Sequence, residues 1–306
     1  MSQITITLGG YQPPDCVHNR AAEILGKELA DRLGDAIVYE MDGNMTASTG
    51  IKAMDLLELV ESGKLTMCYF SGSYLADRVP EIGIFDLPFV VNSREQAYAA
   101  LDGEMGALLK EQFLDKTGFR ILAFWDNGFR HFSNAVRSIR TPEDCGGMKM
   151  RSMNSALHQQ FFRLLGFEPA FVDVRDLVNA VHSREIDAQE NPLTNTYRFG
   201  MHETHKHITL SGHFFGVSLL LVNNDMYESW PDAVKTALQE AVSIATEAQR
   251  GFAADEDVEM LAALAETETE VVDLSPEERA KFKAAVEPLL AEQREVLGNR
   301  VFALVE

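Results

Sequence analysis

The sequence predicts an α/β protein built of two units that share one long helix. Three observations lead there. Strand and helix periodicities alternate through the first 125 residues, a second alternating series starts near Thr141, and a helical pattern broken only by Gly251 runs from Ala233 to about Ala265. Alternation of this kind argues for a parallel or mostly parallel sheet covered by helices.

The elements follow in order. Ile4 to Leu8 reads as a strand, and Asn19 to Leu33 carries Ala22, Leu25, Leu29 and Leu33 at helical spacing. Ala36 to Met41 is a second strand, and Thr49 to Val60 places Ile51, Met54, Leu57 and Val60 at helical intervals. Leu65 to Phe70 is a third strand, Glu95 to Leu114 a helix and Phe119 to Trp125 a strand. In the second series Thr141-Pro142 is an N-cap followed by proline at the first helical position. Met148 to Arg151 follows, then a helix from Ala156 to Leu165 that ends at Gly166 as a C-cap. Asp173 caps another short helix, and Ile186 to Gln189 returns as a strand. At 1.5 Å per residue the Ala233–Ala265 helix is on the order of 50 Å long, so it must lie across both units or project from them. No Gly/Ser linker separates the units, so the chain is expected to cross between them more than once.

Composition narrows the function. The 306 residues are 46% hydrophobic and 24% charged, an ordinary globular balance. No apolar run approaches the roughly 20 residues of a membrane-spanning helix. The net charge of −20 argues against a nucleic-acid partner, because phosphate contacts need clustered cations. The charge is uneven. From Gly251 onward there are 14 acids and 5 bases, whereas Arg120 to Arg151 holds six bases and three acids. That cationic stretch is where an anion could be held, although scattered surface arginines would give the same count. Cys16, Cys68 and Cys145 form neither a disulfide framework nor a C-x-x-C pair, which fits cytoplasm or periplasm equally.

The usual catalytic signatures are absent. There is no G-x-G-x-x-G after a strand, Gly26-Lys27 and Gly63-Lys64 lack the rest of a phosphate loop, and no G-x-S-x-G elbow exists. His202, Glu203, His205 and His207 do not form H-E-x-x-H, and the group reads as a polar turn. No metal and no cofactor is expected.

One stretch carries a resemblance. Phe124-Trp125-Asp126-Asn127-Gly128-Phe129-Arg130 is followed by Ser133-Asn134, by Arg140-Thr141-Pro142-Glu143-Asp144, and by Gly147-Met148-Lys149-Met150-Arg151. Leu165-Gly166, Ile186-Asp187-Ala188-Gln189-Glu190-Asn191-Pro192 and Thr209-Leu210-Ser211-Gly212-His213 complete the series. This order and spacing resembles the DctP family, the solute-binding proteins of tripartite ATP-independent periplasmic (TRAP) transporters, over nearly the whole chain. The resemblance implies a two-lobed periplasmic binding protein fold with a hinge, a central ligand cleft and a long helix spanning both lobes. Lobe I would comprise residues 1–125 and 213–250, and lobe II 126–212 and 251–306, with hinge changes near Trp125–Asn127 and Ser211–His213. It also implies a periplasmic location with the signal peptide removed, a small organic acid as ligand, membrane subunits as partners and a monomeric state.

Site residues are implied with it. Arg151 would hold the ligand's carboxylate, which suits a guanidinium because its planar fork is bidentate and stays charged. Arg130 falls where members carry a second arginine, although a surface salt bridge is the alternative. Asn191 would donate an amide hydrogen, or else cap the helix after Pro192. Phe70, Ser71 and Tyr74 follow the third strand, where members line the cleft. Ser71 and Tyr74 depart from the acid and arginine of the sialic acid-binding members, and Val174 stands where some members stack an aromatic on the ligand. Gln12 and Asp15 could reach the ligand from the loop after the first strand, or simply form the turn at Pro13-Pro14. His213 and Phe214 are expected either as walls or as packing. The competing reading is a two-lobed enzyme, a lyase or hydrolase using Asp126, His131 or His213 as acid or base, against which no nucleophile–base arrangement is visible.

Overall fold

A computed structural model describes residues 3–306; Met1 and Ser2, with which the first expected lobe begins, lie outside the described residues. In chain order the elements are β1 (Ile4–Gly9), α1 (Val17–Leu33), β2 (Ile37–Asp42), α2 (Met45–Ser48), α3 (Asp55–Glu61) and β3 (Met67–Ser71). Then come α4 (Arg94–Asp102), α5 (Glu104–Thr117), β4 (Phe119–Asn134), β5 (Lys149–Ser152), α6 (Ala156–Leu164) and β6 (Glu168–Phe171). The chain ends with α7 (Val174–His182), β7 (Ala188–Asn191), α8 (Leu193–Arg198), β8 (His207–Asn223), α9 (Asn224–Ser229), α10 (Asp232–Ala265), β9 (Glu270–Asp273) and α11 (Pro276–Ala303).

The described chain divides into two compact units. Unit 1 holds the residues up to Ser71, Leu108–Asp126 and Val217–Ala254; unit 2 holds Gly72–Ala107, Asn127–Gly216 and Asp255–Glu306. The segment 72–107, read from the sequence as part of the first lobe, clusters with unit 2. Its ties there are visible: Phe89 N–H donates to His213 O at 2.9 Å, and Arg94 pairs with Asp257 at 2.6 Å.

In unit 1, β1 pairs in parallel with β2 and β3, while β3 pairs antiparallel with the C-terminal half of β8, from Met67↔Val222 to Ser71↔Ser218. All five residues of β3 are buried, because strands flank it on both sides. Leu8, Leu25, Leu29, Leu57, Met67 and Leu238 contribute to this core. Each such side chain stabilises the fold by roughly 1.5–3 kcal/mol on full burial. In unit 2, β7 lies antiparallel to the C-terminal half of β4 and parallel to β5, which pairs in parallel with β6. Phe132, Phe161, Phe167 and Phe282 fill that core, with Phe132 and Phe161 stacked at 6.2 Å. The pairing is more mixed than the alternation suggested. The reason is that β4 and β8 each run through both units and meet different neighbours in each.

Three elements differ from their expected bounds for local reasons. The Glu95–Leu114 helix is two helices, split where Gly103 N–H caps α4; a Cβ at Gly103 would come within 2.7 Å of Ala99 O. The Thr49–Val60 helix begins only at Asp55, after Gly50 turns the chain through a positive φ of 76°. The Phe119–Trp125 strand continues to Asn134. The long helix matches its periodicity: α10 has 34 residues, runs through Gly251 unbroken, and passes from unit 1 to unit 2 after Ala254.

Candidate functional site

Arg151 is the third residue of the buried strand β5 and is 2% exposed. The parallel pairing of β5 with β6 sets Val172 beside it, and Arg151 Nε donates to Val172 O at 3.0 Å. Its Nη2 is buried and has no hydrogen-bond partner. A buried cationic donor left unmatched carries a desolvation penalty of about 1–3 kcal/mol or more. An anion set against this atom would relieve that penalty.

Arg130 lies in unit 2, just after β4 enters it. The register His131↔Asn191 brings the strand bearing Glu190 alongside. Arg130 Nε and Nη2 both donate to the Glu190 carboxylate, Nη2 at 2.8 Å, and Nη2 also donates to Glu190 O at 2.9 Å and Asn191 Oδ1 at 3.4 Å. Both side chains are buried, at 3% and 0% exposure. Burial opposes charge on either group, yet Glu190 holds Arg130 above its ordinary value and Arg130 holds Glu190 well below the usual carboxylate range. The surface salt bridge weighed as an alternative for Arg130 is thus a buried pair.

Asn191 ends β7. The helix that follows is capped by Pro192, not by Asn191. Asn191 Nδ2 donates to Gln189 Oε1 at 2.5 Å, which leaves one amide hydrogen for another acceptor. Tyr74 sits in the short 3-10 turn Gly72–Leu75. Burial raises its hydroxyl pKa, while Arg151 and Arg130 both act to lower it, so the hydroxyl lies within electrostatic reach of both guanidiniums.

His213 and Phe214 are packed inside unit 2. His213 stacks on Phe132 at 4.3 Å, with Nδ1 2.7 Å from Ser211 Oγ and Nε2 3.5 Å from Glu190 Oε2. Phe214 lies 4.8 Å from Phe161. The remaining residues belong to unit 1. Gln12 is buried, with its N–H donating to Tyr69 Oη at 3.3 Å and its carbonyl accepting from Asn19 Nδ2 at 3.2 Å. Phe70 is fully buried against Tyr11 at 5.1 Å, Ser71 is buried at the end of β3, and Asp15 is exposed. The structure therefore gathers Arg151, Arg130, Asn191 and Tyr74 in unit 2, while Gln12, Asp15, Phe70 and Ser71 sit in unit 1.

Glu190, Asp86 and His158 are the groups that sequence reasoning passed over as site residues. A signal existed for two of them: Asp86 is the only charge in the apolar run Ile82 to Val91, and Glu190 lies inside a strand pattern beside a candidate ligand residue. A lone acid in such a run needs a buried partner.

Burial also holds several imidazoles neutral. His18 and His131 are pushed down to about 3, and His205 and His213 to about 4, from 6.5. Each folded value lies below the unfolded one, so the stabilisation is complete above pH 6.5 and is lost as the pH falls towards 3–4. The melting temperature, followed by scanning fluorimetry, is expected to fall steadily from pH 6.5 to 4. A flat profile would mean these rings are solvated and charged.

Among the described residues no group of histidine, cysteine or carboxylate side chains could hold a metal ion, and no helix is long and apolar enough to cross a membrane. The sequence profile of the family described as bacterial extracellular solute-binding protein, family 7 (DctP) matches residues 9–295. The C4-dicarboxylate-binding periplasmic protein DctP of Rhodobacter capsulatus is 31% identical over 229 residues, 74% of this chain and 68% of that protein. A TRAP periplasmic solute-binding protein from Sulfurospirillum deleyianum, solved with bound succinate, superimposes with a TM-score of 0.92 at 27% identity, covering 100% of this chain and 99% of that one. The sugar acid binding protein DctPAm from Advenella mimigardefordensis, solved with galactonate, has the same fold at a TM-score of 0.93 and 24% identity, covering 100% and 97%. Proteins of this kind are periplasmic, bind small organic acids and work with membrane subunits; they are transport components and not enzymes. The chain belongs to the DctP family, the solute-binding proteins of TRAP transporters.

Proposed function

We propose that this protein captures a small hydroxylated monocarboxylate, such as a sugar acid, in the periplasm and delivers it as a monomer to TRAP membrane subunits. The observation that carries the reading is Arg151 Nη2, a buried cationic donor with no partner. In this reading Arg151 clamps the carboxylate, with Arg130, Asn191 and the Tyr74 hydroxyl beside it. A dicarboxylate would need a further cation at its other end. The stretches assigned to that end from the sequence, Tyr11 to Asp15 and Phe70 to Tyr74, hold no lysine or arginine; of these, Tyr11, Gln12 and Ser71 lie in unit 1 and offer hydroxyl and amide groups. Those are partners for hydroxyl groups, and a buried polar group left unpaired costs about 1–3 kcal/mol.

A second reading, an unsubstituted C4-dicarboxylate, is favoured by the names of two of the relatives above 25% identity, the Rhodobacter capsulatus protein and the succinate-bound Sulfurospirillum deleyianum protein. A thermal-shift screen of sugar acids, hydroxy acids, keto acids and dicarboxylates separates the two. A ligand at 100 times its Kd stabilises by about 2.7 kcal/mol, which such a screen detects readily. Stabilisation by hydroxylated monocarboxylates is expected. Stabilisation by unsubstituted dicarboxylates alone would replace the first reading with the second.

A further inference from the structure

The polar groups around Arg130 extend further than a carboxylate clamp requires. His158, on α6, is fully buried and stacked on Phe214, with ring centroids 4.5 Å and planes 27° apart. Its Nε2 lies 3.0 Å from Asp86 Oδ1 and its Nδ1 4.0 Å from Glu190 Oε1. Neither nitrogen makes an aligned hydrogen bond, so the link among the three is electrostatic. Asp86 accepts from Ser73 Oγ at 2.7 Å, and Ser73 precedes Tyr74 in the turn Gly72–Leu75. Glu190 in turn holds Arg130. The series of groups thus begins and ends at residues assigned to the ligand: Tyr74 at one end, Arg130 at the other.

Two buried carboxylates near one another repel, and each has lost its hydration. A polar ring set between them lessens both penalties. His158 occupies that position, with Nε2 toward Asp86 and Nδ1 toward Glu190. The other ring facing Glu190, His213, is held neutral by burial. Arg130 faces Glu190 from β4, and Phe162 meets the His158 ring edge-on at 6.2 Å. Asp86 also acts on Arg130 directly as a negative charge, and His158 is the side chain whose ring nitrogens lie toward both the Ser73–Asp86 pair and the Glu190–Arg130 pair.

We propose that His158 and Asp86 are positioning residues for the ligand's carboxylate: bridging the two acids, His158 fixes Glu190 and hence Arg130, and through Asp86 and Ser73 it fixes the turn that carries Tyr74. This rests on Arg130 and Tyr74 serving the carboxylate, as proposed above. Neither His158 nor Asp86 touches the ligand in this scheme.

The test has two arms. In the protein alone, the Arg130 Nε–H resonance reports by 15N NMR how the guanidinium sits on Glu190. It is expected to move or broaden in both His158→Gln and Asp86→Asn. In calorimetry with galactonate, His158→Gln is expected to raise Kd about tenfold, but less than about twofold when Arg130→Gln is already present. An unmoved resonance in both variants would overturn the proposal. So would a loss of affinity that is the same with and without Arg130, since general destabilisation would act equally in both backgrounds. If the parent binds no galactonate, the choice of that acid as ligand is what fails, and the resonance alone decides the positioning role.

Discussion

Arg151→Ala is expected to lower ligand affinity by roughly 30-fold to several thousand-fold, equivalent to about 2–5 kcal/mol. Arg151 sits on a buried strand, its Nε donates to Val172 O, and its buried Nη2 has no hydrogen-bond partner. Removing the side chain deletes a charge-assisted contact in a place where water cannot replace it. Arg151→Lys is expected to lose much of the same affinity, because an ammonium point charge cannot reproduce a planar fork and the Val172 contact disappears with Nε. Calorimetry on both variants with an acid that stabilises the parent is the measurement. Binding by Arg151→Ala within about threefold of the parent would show that the carboxylate is held elsewhere.

Glu190→Gln is expected to destabilise the protein by about 3–5 kcal/mol, because it leaves Arg130 as a buried cation without its counter-charge. For a chain of this size that corresponds to a melting temperature lower by on the order of 10 °C. The glutamine retains the shape and one acceptor, so the loss reports charge and not packing. A compensated variant sharpens the point. Replacing Arg130 and Glu190 together by leucine is expected to recover most of the stability, since a buried pair is often no better than an apolar replacement, while ligand affinity stays lost. If Glu190→Gln melts within about 2 °C of the parent, the pair is solvated in solution. The pH dependence has its own sign. Glu190 is held well below its unfolded value, so its contribution is present above about pH 4.5 and is lost as the pH falls below that, overlapping only the acid end of the range in which the histidines act.

The linear order of elements was readable from residue spacing. Val17–Leu33, Ala156–Leu164 and Asp232–Ala265 show apolar residues at helical intervals, and helix starts carry local signals: Asp173 accepts from Arg175 N–H before α7, and Ser155 from His158 N–H before α6. These features depend on neighbours within about four residues, which the sequence displays directly. Arg151, Arg130 and Asn191 were legible for another reason, since each stands in a short motif whose order along the chain marks the family.

The contacts that make a site of those residues depend on groups far apart in the chain. Arg130 meets Glu190 across 60 positions, and Asp86, at the end of the 3-10 segment Pro80–Asp86, meets His158 on α6 although no spacing rule connects them. Nothing in a lone aspartate or a lone histidine announces its partner; burial only requires that one exist. The same limit applied to the grouping of 72–107 and to the antiparallel pairs of β4 and β8, because strand neighbours are chosen by tertiary packing. The sequence by itself determined the α/β class, the long helix and the family, and it singled out Arg151 as the expected carboxylate ligand, all from local pattern. Only the tertiary structure decided that Arg130 is committed to Glu190 while Arg151 keeps an unmatched donor, because that division depends on which charges are buried together.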